Sequence, residues 1–430
     1  MKVAIVGAGP SGLVTCKTLR ERGLAAVCFE AGDRVGGQWV IDNTSGTSAA
    51  YRSLRTNTNR VMSRFSDFAF PDDYPDFPGH AEMAAWFESY ARHFGVLEHV
   101  RFRSRVTRAV PLADGGFSVE TEGGDREEFD ALVAASGNLW DPVTPDFAGS
   151  FAGPLFHSKS YRDATRPVDC RGRTVLVVGL GNTACEIAVE LASAGGASRV
   201  LLAARSGQLI MPRTPSPAQP PHPAEPAPLL FRLLPRVARD ALFRGVFRLI
   251  VKRMLRTLPR PQDVGLPAPP RDPLEKRAVA NDHVLGMLQT GAIAAMPGVR
   301  AFDGKVVEFT DGSREAADVV ICATGYRFSL PFLSREVLGV EDARDLRLYQ
   351  GTMHPRYPRL FVVGVMRALC SIWPRSEQQA RWIAAVLREE FALPDERRRQ
   401  SDAYFIQQGP VTNCQFHTIE LEREMSRAVR

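Results

Sequence analysis

The clearest pattern in the chain is a pair of apolar runs that no polar residue interrupts, Val3-Ala4-Ile5-Val6 and Val175-Leu176-Val177-Val178, the second opened by Thr174. Such runs suit parallel strands buried on both faces, since a half-exposed strand would alternate. Each run ends in a glycine-rich turn: Gly7-Ala8-Gly9-Pro10-Ser11-Gly12 and Gly179-Leu180-Gly181-Asn182-Thr183-Ala184. Helical spacing of apolar residues follows in both places, over Leu13 to Arg20 and Ala184 to Ala192. A second strand then comes each time, Ala26 to Phe29 and Arg199 to Ala204. Further apolar runs predict strands at Ala131 to Ala135, leading to Ser136-Gly137, and at Val319 to Ala323, leading to Thr324-Gly325. Late in the chain, Trp373-Pro374 and then Glu377 to Leu387 predict a helix whose N-terminus could point donors at a cofactor ring.

Strand, glycine turn and helix in that order give a glycine fingerprint its meaning. The glycines allow a tight turn and let the backbone approach a pyrophosphate at the helix N-terminus. Gly7, Gly9, Pro10, Ser11 and Gly12 are therefore candidate cofactor residues. So are Gly179, Gly181, Asn182, Thr183 and Ala184, alanine being permitted at the last place. The second strand of the first pattern ends at Glu30, eighteen residues past Gly12, where an acid can bind ribose hydroxyls. Its counterpart in the second pattern ends at Arg205-Ser206, with no acid. A guanidinium there suits a 2′-phosphate; a solvated surface charge is the competing reading. The first site thus reads as one for FAD and the second for NADPH, and two dinucleotides on one chain imply electrons passing between them. The fold class expected is α/β, with two Rossmann-like dinucleotide-binding units.

Bulk properties agree with an enzyme. A chain of 430 residues, 44% hydrophobic, allows two to three domains. No run of eighteen apolar residues predicts a membrane span. Met1-Lys2 leads straight into the first strand, leaving no room for a signal peptide. The seven scattered cysteines form no C-x-x-C pair, which fits buried thiols and a cytoplasmic location and disfavours a disulfide reductase. Eight scattered histidines offer no ligand pair, so no metal is expected. The net charge of +6 fits phosphate binding and a basic surface; nucleic acid is not expected as a partner.

Several separated segments carry a family resemblance. Phe151 to Tyr161 fits F-x-G-x-x-x-H-x-x-x-Y/F at every fixed position: Phe151, Gly153, His157 and Tyr161. Glu30 with Gly36-Gly37-Gln38-Trp39, Tyr51-Arg52-Ser53-Leu54-Arg55-Thr56-Asn57, Phe65 to Pro71, and Ala323-Thr324-Gly325-Tyr326 follow the same family order. In these motifs the chain resembles the flavin-containing monooxygenases, class B flavoprotein oxygenases. The resemblance implies a discontinuous FAD domain at 1–150 and 316–430, with an NADPH domain at 151–315 inserted in it. It also implies that NADPH reduces FAD and that O2 then gives a C4a-hydroperoxyflavin, which oxygenates a soft nitrogen or sulfur in a small amine or sulfur substrate. Asn57 matches the family's functional asparagine, a polar partner for flavin and nicotinamide, with Asn59 a nearby competitor. Further cofactor contacts are implied at Gly37, Gln38, Trp39, Thr56, Thr58, Val106, Thr324, Gly325 and Gln379. His157 is expected to tie the interdomain linker, with Thr324 and Tyr326 serving the hinge. Baeyer–Villiger relatives usually carry tryptophan where Tyr161 stands, so the match leans toward N- and S-oxygenation. A Baeyer–Villiger enzyme and a non-oxygenating redox or sensor flavoprotein stay open, as does a homo-oligomer.

Residues 207–275 depart from this plan. Proline crowds Met211 to Leu229 and Leu258 to Pro273. Between them, 236–256 predicts a helix with Arg244, Arg248, Lys252 and Arg256 spaced by four, and with Phe243, Phe247, Ile250 and Met254 on other faces. The readings are a helix packed over the core with its basic face in water, a peripheral membrane contact on anionic lipid, or a lid.

Overall fold

The computed structural model describes residues 1–193, 196–213, 235–256, 258–367, 371–408, 419, 421–422 and 424–425. The proline run at 214–229 lies outside them. The first apolar run is strand β1 (Lys2–Val6), followed by helix α1 (Pro10–Glu21) and β2 (Ala25–Phe29). Next come β3 (Val100–Arg101), β4 (Ala131–Ala134) and β5 (Leu155–His157). The second run supplies β6 (Thr174–Val178), α2 (Asn182–Ala192) and β7 (Arg199–Ala203). Then follow β8 (Ile210–Met211), α3 (Arg236–Met254), β9 (Val279–Ala280) and β10 (Ile293–Met296). The chain continues through β11 (Val319–Cys322) and β12 (Leu360–Val362) to α4 (Ile372–Leu387).

Two five-stranded sheets result, ordered β12-β4-β1-β2-β3 and β5-β11-β6-β7-β10. Every neighbouring pair is parallel. Both faces of the central strands are covered, so β4 and β11 are buried at every residue, and β1 and β6 at all but the first. That is why these strands read as continuous apolar runs rather than alternating ones. The second unit is wound like the first. The glycine fingerprint leaves the central strand, the next strand lies on one side, and β4 or β11 lies on the other. Each unit also inserts an antiparallel meander before that flanking strand: Val106–Pro111, Phe117–Thr121 and Arg126–Phe129 in the first, Val299–Gly304, Val306–Phe309 and Arg314–Ala316 in the second.

One boundary expectation is corrected. Val319–Cys322 lies past the expected 315/316 boundary, yet it pairs with β6 and β5 at the centre of the second sheet. Its entry is pinned by Asp318, whose N–H donates to the Thr174 carbonyl (2.8 Å) and whose carboxylate accepts from the Thr174 N–H (3.1 Å). The chain rejoins the first sheet with β12, and α4 then packs along α1, where Ser11 and Ser376 hydroxyls hydrogen-bond at 2.9 Å.

The F-x-G-x-x-x-H-x-x-x-Y segment proves architectural. Phe151 packs on Phe302, and a side chain on Gly153 would strike the Asp318 carbonyl, 2.6 Å from its Cβ. Tyr161 is fully buried, edge-on to Tyr51 with 6.2 Å between ring centres. The His157 Nε2 donates to the Gly325 carbonyl (3.0 Å), while Nδ1 accepts the Lys159 N–H (3.0 Å). Those two bonds need one N–H and one lone pair, which is the neutral ring. Burial lowers its pKa accordingly. His157 thus ties the linker to the Thr324-Gly325 crossover.

Candidate functional site

Both fingerprints form the turn that their glycines predict. Gly7 has φ +104°, and a Cβ there would lie 2.7 Å from the Ala135 carbonyl at the end of β4. Gly179 has φ +130°, and its Cβ would lie 2.4 Å from the Ala323 carbonyl at the end of β11. In each unit the turn therefore nests under the flanking strand, a fit open only to glycine.

The helices after these turns start without a side-chain cap, at Gly9 and Gly181. The first-turn N–H groups of a helix need an outside acceptor, and a phosphate supplies one. A Cβ on Gly181 would meet no atom within 4 Å, so the approach is open. This geometry fits a dinucleotide pyrophosphate on each unit.

The two units differ at the end of the second strand. Glu30 ends β2, buried, with one carboxylate oxygen accepting from the Ala8 N–H and the other from the Gly32 N–H, both at 2.8 Å. Burial raises its pKa; those N–H groups and the Arg105 charge oppose the rise. Arg105 leads into Val106, which starts the first meander. In the second unit Arg205 and Ser206 stand exposed at the end of β7. Lys276 donates to the Ser206 hydroxyl at 3.1 Å, bringing a second cation to the end of β7. Sequence reasoning missed Lys276, because nothing local signals that a side chain seventy residues later closes on Ser206.

Gly37–Trp39 is a single 3-10 turn. Ser48 donates to the Gln38 carbonyl (3.0 Å), and the Trp39 ring lies edge-on to Trp373 in the first turn of α4 (5.6 Å). Thr56 is buried with its hydroxyl oxygen unpartnered, and so is the amide nitrogen of buried Asn43, close against Gly32 beside Glu30. The orphaned Asn43 amide beside the first cradle fits a polar ligand there. Asn43 is a second residue the motifs did not flag. Thr58, by contrast, spends its hydroxyl on Ser63 at 2.7 Å.

Asn57 and Asn59 separate clearly. Asn59 accepts the Met62 N–H at 2.9 Å and caps the short helix Arg60–Ser63. Asn57 is exposed at the seam between the units, with its amide oxygen 3.5 Å from Arg213 Nη2. Several polar contacts cross the seam. Tyr51 donates to Glu186 and Ser53 to Glu190, both acids on α2, and Arg213 forms an ion pair with Glu186. At the crossover, Thr324 donates to the Val143 carbonyl at 2.5 Å, and the Gly325 carbonyl accepts the Val143 N–H at 3.0 Å. Burial pushes the neighbouring Tyr326 up to about 12.

Gln379 is corrected. It is fully buried behind the cradle, and its amide donates to the Gly351 carbonyl (3.1 Å) and the Thr352 hydroxyl (3.0 Å) while accepting the Gly364 N–H (3.2 Å). Its amide is thus committed to the protein on both ends, and it holds Gly364 in place.

Residues 1–412 match the family described as flavin-binding monooxygenase-like. Dimethylaniline monooxygenase [N-oxide-forming] 2 of Mus musculus is 33% identical over 418 residues, covering 93% of this chain and 76% of that protein. Flavin-containing monooxygenase 1 of Homo sapiens is 32% identical, covering 91% and 75%. Among solved structures, S-allyl-L-cysteine S-oxygenase from Allium sativum superposes with a TM-score of 0.67 at 25% identity, covering 93% of this chain and 80% of that one. A cyclohexanone monooxygenase shares the fold, with a TM-score of 0.74 at 17% identity and coverage of 100% and 98%.

Proposed function

This chain belongs to the flavin-containing monooxygenase family, an NADPH-dependent enzyme that uses FAD, and from that premise we propose that it oxygenates a soft nitrogen or sulfur centre of a small molecule. The observation that carries the reading is the seam. Asn57 stands exposed beside Arg213, which forms an ion pair with Glu186 on the uncapped helix α2 of the second fingerprint. Among the described residues, the acid at this seam, Glu186, is engaged by Arg213 and Tyr51, which suits a substrate whose lone pair is already nucleophilic. Bound FAD would supply the redox chemistry, with NADPH as the reductant and O2 as the oxidant. One oxygen atom goes to the substrate and the other leaves as water, with NADPH providing both electrons. The protein's part is to grip the pyrophosphates at Gly9 and Gly181, hold ribose at Glu30, hold the 2′-phosphate at Arg205, Ser206 and Lys276, and present the Asn57 amide. An amide donates and accepts at once, so one side chain serves two polar neighbours. Tyr161, packed on Tyr51 where Baeyer–Villiger relatives usually carry tryptophan, supports N- or S-oxygenation over ketone insertion. The test is NADPH oxidation with amines, sulfides and ketones in parallel, with products identified by mass.

We further infer that α3 rests on an anionic lipid surface. Phe247 and Val251 pack inward on Leu209 and Leu274, while Leu242, Val246, Leu249 and Ile250 are exposed, Leu249 to 68%. Helical spacing places these four on one face, near exposed Lys252, Arg253 and Arg256. The expected row of four free cations is modified, because Arg248 pairs with Asp272 (2.7 Å) and Arg244 is half-buried. Among the described residues, no helix is long and apolar enough to cross a membrane.

A further inference from the structure

We propose that Arg213 is a positioning residue that sets which end of the Asn57 amide is presented at the seam. The inference rests on the reading of Asn57 given above. Its structural basis is a strap anchored on the second fingerprint. Strand β8 lies parallel to β9, and beyond their ends the Asn281 N–H donates to the Met211 carbonyl at 2.9 Å. The Ala280 N–H donates to the side-chain oxygen of Asn182 (2.8 Å), the first residue of α2. The Arg213 N–H donates to Asp282 (2.8 Å). The Arg213 backbone is therefore fixed relative to the helix that opens on the nicotinamide cofactor site.

From that anchor the side chain crosses the seam. Its Nη2 pairs with Glu186 and stands 3.5 Å from the Asn57 amide oxygen. Arg213 and Glu186 side chains are 11% and 6% exposed, and Tyr51 donates to the second Glu186 oxygen, so the carboxylate that holds the guanidinium is itself fixed. A guanidinium has five donors and no acceptor. Only the oxygen end of an amide can face it favourably. The two ends of an asparagine amide are nearly the same shape, so without such a neighbour the group can turn over. Arg213 thus holds the Asn57 oxygen toward its own Nη2 and leaves the N–H₂ end as the donor for the cofactor side. The adjacent cation also polarises the amide, which strengthens that donor. The arrangement links the second fingerprint, through Asn182, Ala280 and Arg213, to the residue at the seam.

The readout is the fraction of oxidised NADPH whose O2 ends as hydrogen peroxide rather than product plus water, measured beside the NADPH KM and FAD content. Four variants are compared in the full-length holoenzyme: Asn57→Ala, Arg213→Met combined with Glu186→Gln, those three substitutions together, and Arg213→Lys. The Glu186→Gln partner avoids a buried uncompensated carboxylate and still accepts from Tyr51. The peroxide fraction should rise severalfold in Arg213→Met/Glu186→Gln with the NADPH KM within about twofold of the parent, and the triple variant should release no more peroxide than Asn57→Ala alone. Arg213→Lys, which keeps the charge and a donor, should recover part of the coupling. If Asn57→Ala stays coupled, the Asn57 reading fails. If Asn57→Ala uncouples while Arg213→Met/Glu186→Gln and Arg213→Lys do not, or if the triple variant adds the two effects, the role of Arg213 is overturned and that of Asn57 stands.

Discussion

Removing the Arg205 guanidinium should cost the enzyme its preference for NADPH in a graded way. A charge-assisted bond to phosphate contributes roughly 1.5–3 kcal/mol. Arg205 and Ser206 are exposed, so solvent screening puts the contact at the lower end, about 1.5 kcal/mol, or slightly more than tenfold in affinity. Lys276 stands 3.1 Å from the Ser206 hydroxyl and supplies a second cation. Arg205→Ala should therefore weaken NADP+ about tenfold and leave a residual preference. Arg205→Ala/Lys276→Ala should weaken it about a hundredfold, roughly 3 kcal/mol for two such contacts. NAD+ lacks the phosphate, so its affinity should stay within about twofold of the parent, by the same reasoning. Calorimetric titration of NADP+ and NAD+ at two salt concentrations, beside kcat/KM for NADPH and NADH, measures this. An unchanged cofactor ratio, or equal losses for both nicotinamides, would refute the placement of the 2′-phosphate at these residues.

Gly181→Ala places a methyl in open space, so stability should change by no more than about 0.5 kcal/mol while NADP+ binding weakens and FAD content holds; thermal melts and titration check it. Gly12→Ala should instead prevent folding with bound FAD, because its Cβ would lie 1.9 Å from the Gly7 carbonyl; FAD content of the purified variant reads this directly. Burial lowers the His157 pKa, so above pH about 6.5 the ring is neutral in folded and unfolded chains alike, and below it the unfolded chain takes up a proton that the folded ring resists. Stability should fall as pH drops through that region, and His157→Gln should flatten the slope in part, since His354 is lowered by burial in the same way; an unchanged slope in urea unfolding between pH 7.5 and 5.5 would count against it. Leu249→Glu should abolish salt-sensitive binding to vesicles containing anionic lipid, and an absence of binding by the parent at low salt would remove the lipid reading of α3.

Both wound sheets are legible in the sequence, because strands buried on two faces must be apolar throughout and the fingerprints mark where each helix begins. The sheet to which Val319–Cys322 belongs is not, since an apolar run of that length says nothing about its neighbours. Glu30 and Arg205 are legible from their position at the end of the second strand. Lys276 and Arg213 are not, because each acts on a residue far away in sequence, and only the folded chain brings Arg213 to Asn57 across 156 positions; Asn43 is not, because no motif marks it. Gln379 shows the opposite error. A motif position can be fixed by its role in packing, and its amide is consumed by Gly351, Thr352 and Gly364.

The central claim is that one atom of O2 enters a soft nucleophile. Turnover of the FAD-loaded enzyme with NADPH under ¹⁸O2, with a tertiary amine, a thioether and a cyclic ketone offered separately, tests it by mass spectrometry. The account predicts an N-oxide or sulfoxide carrying one ¹⁸O per NADPH consumed, with the ketone left unchanged. Peroxide as the sole oxygen product with every substrate, or an ¹⁸O-labelled lactone formed faster than either oxide, would contradict it.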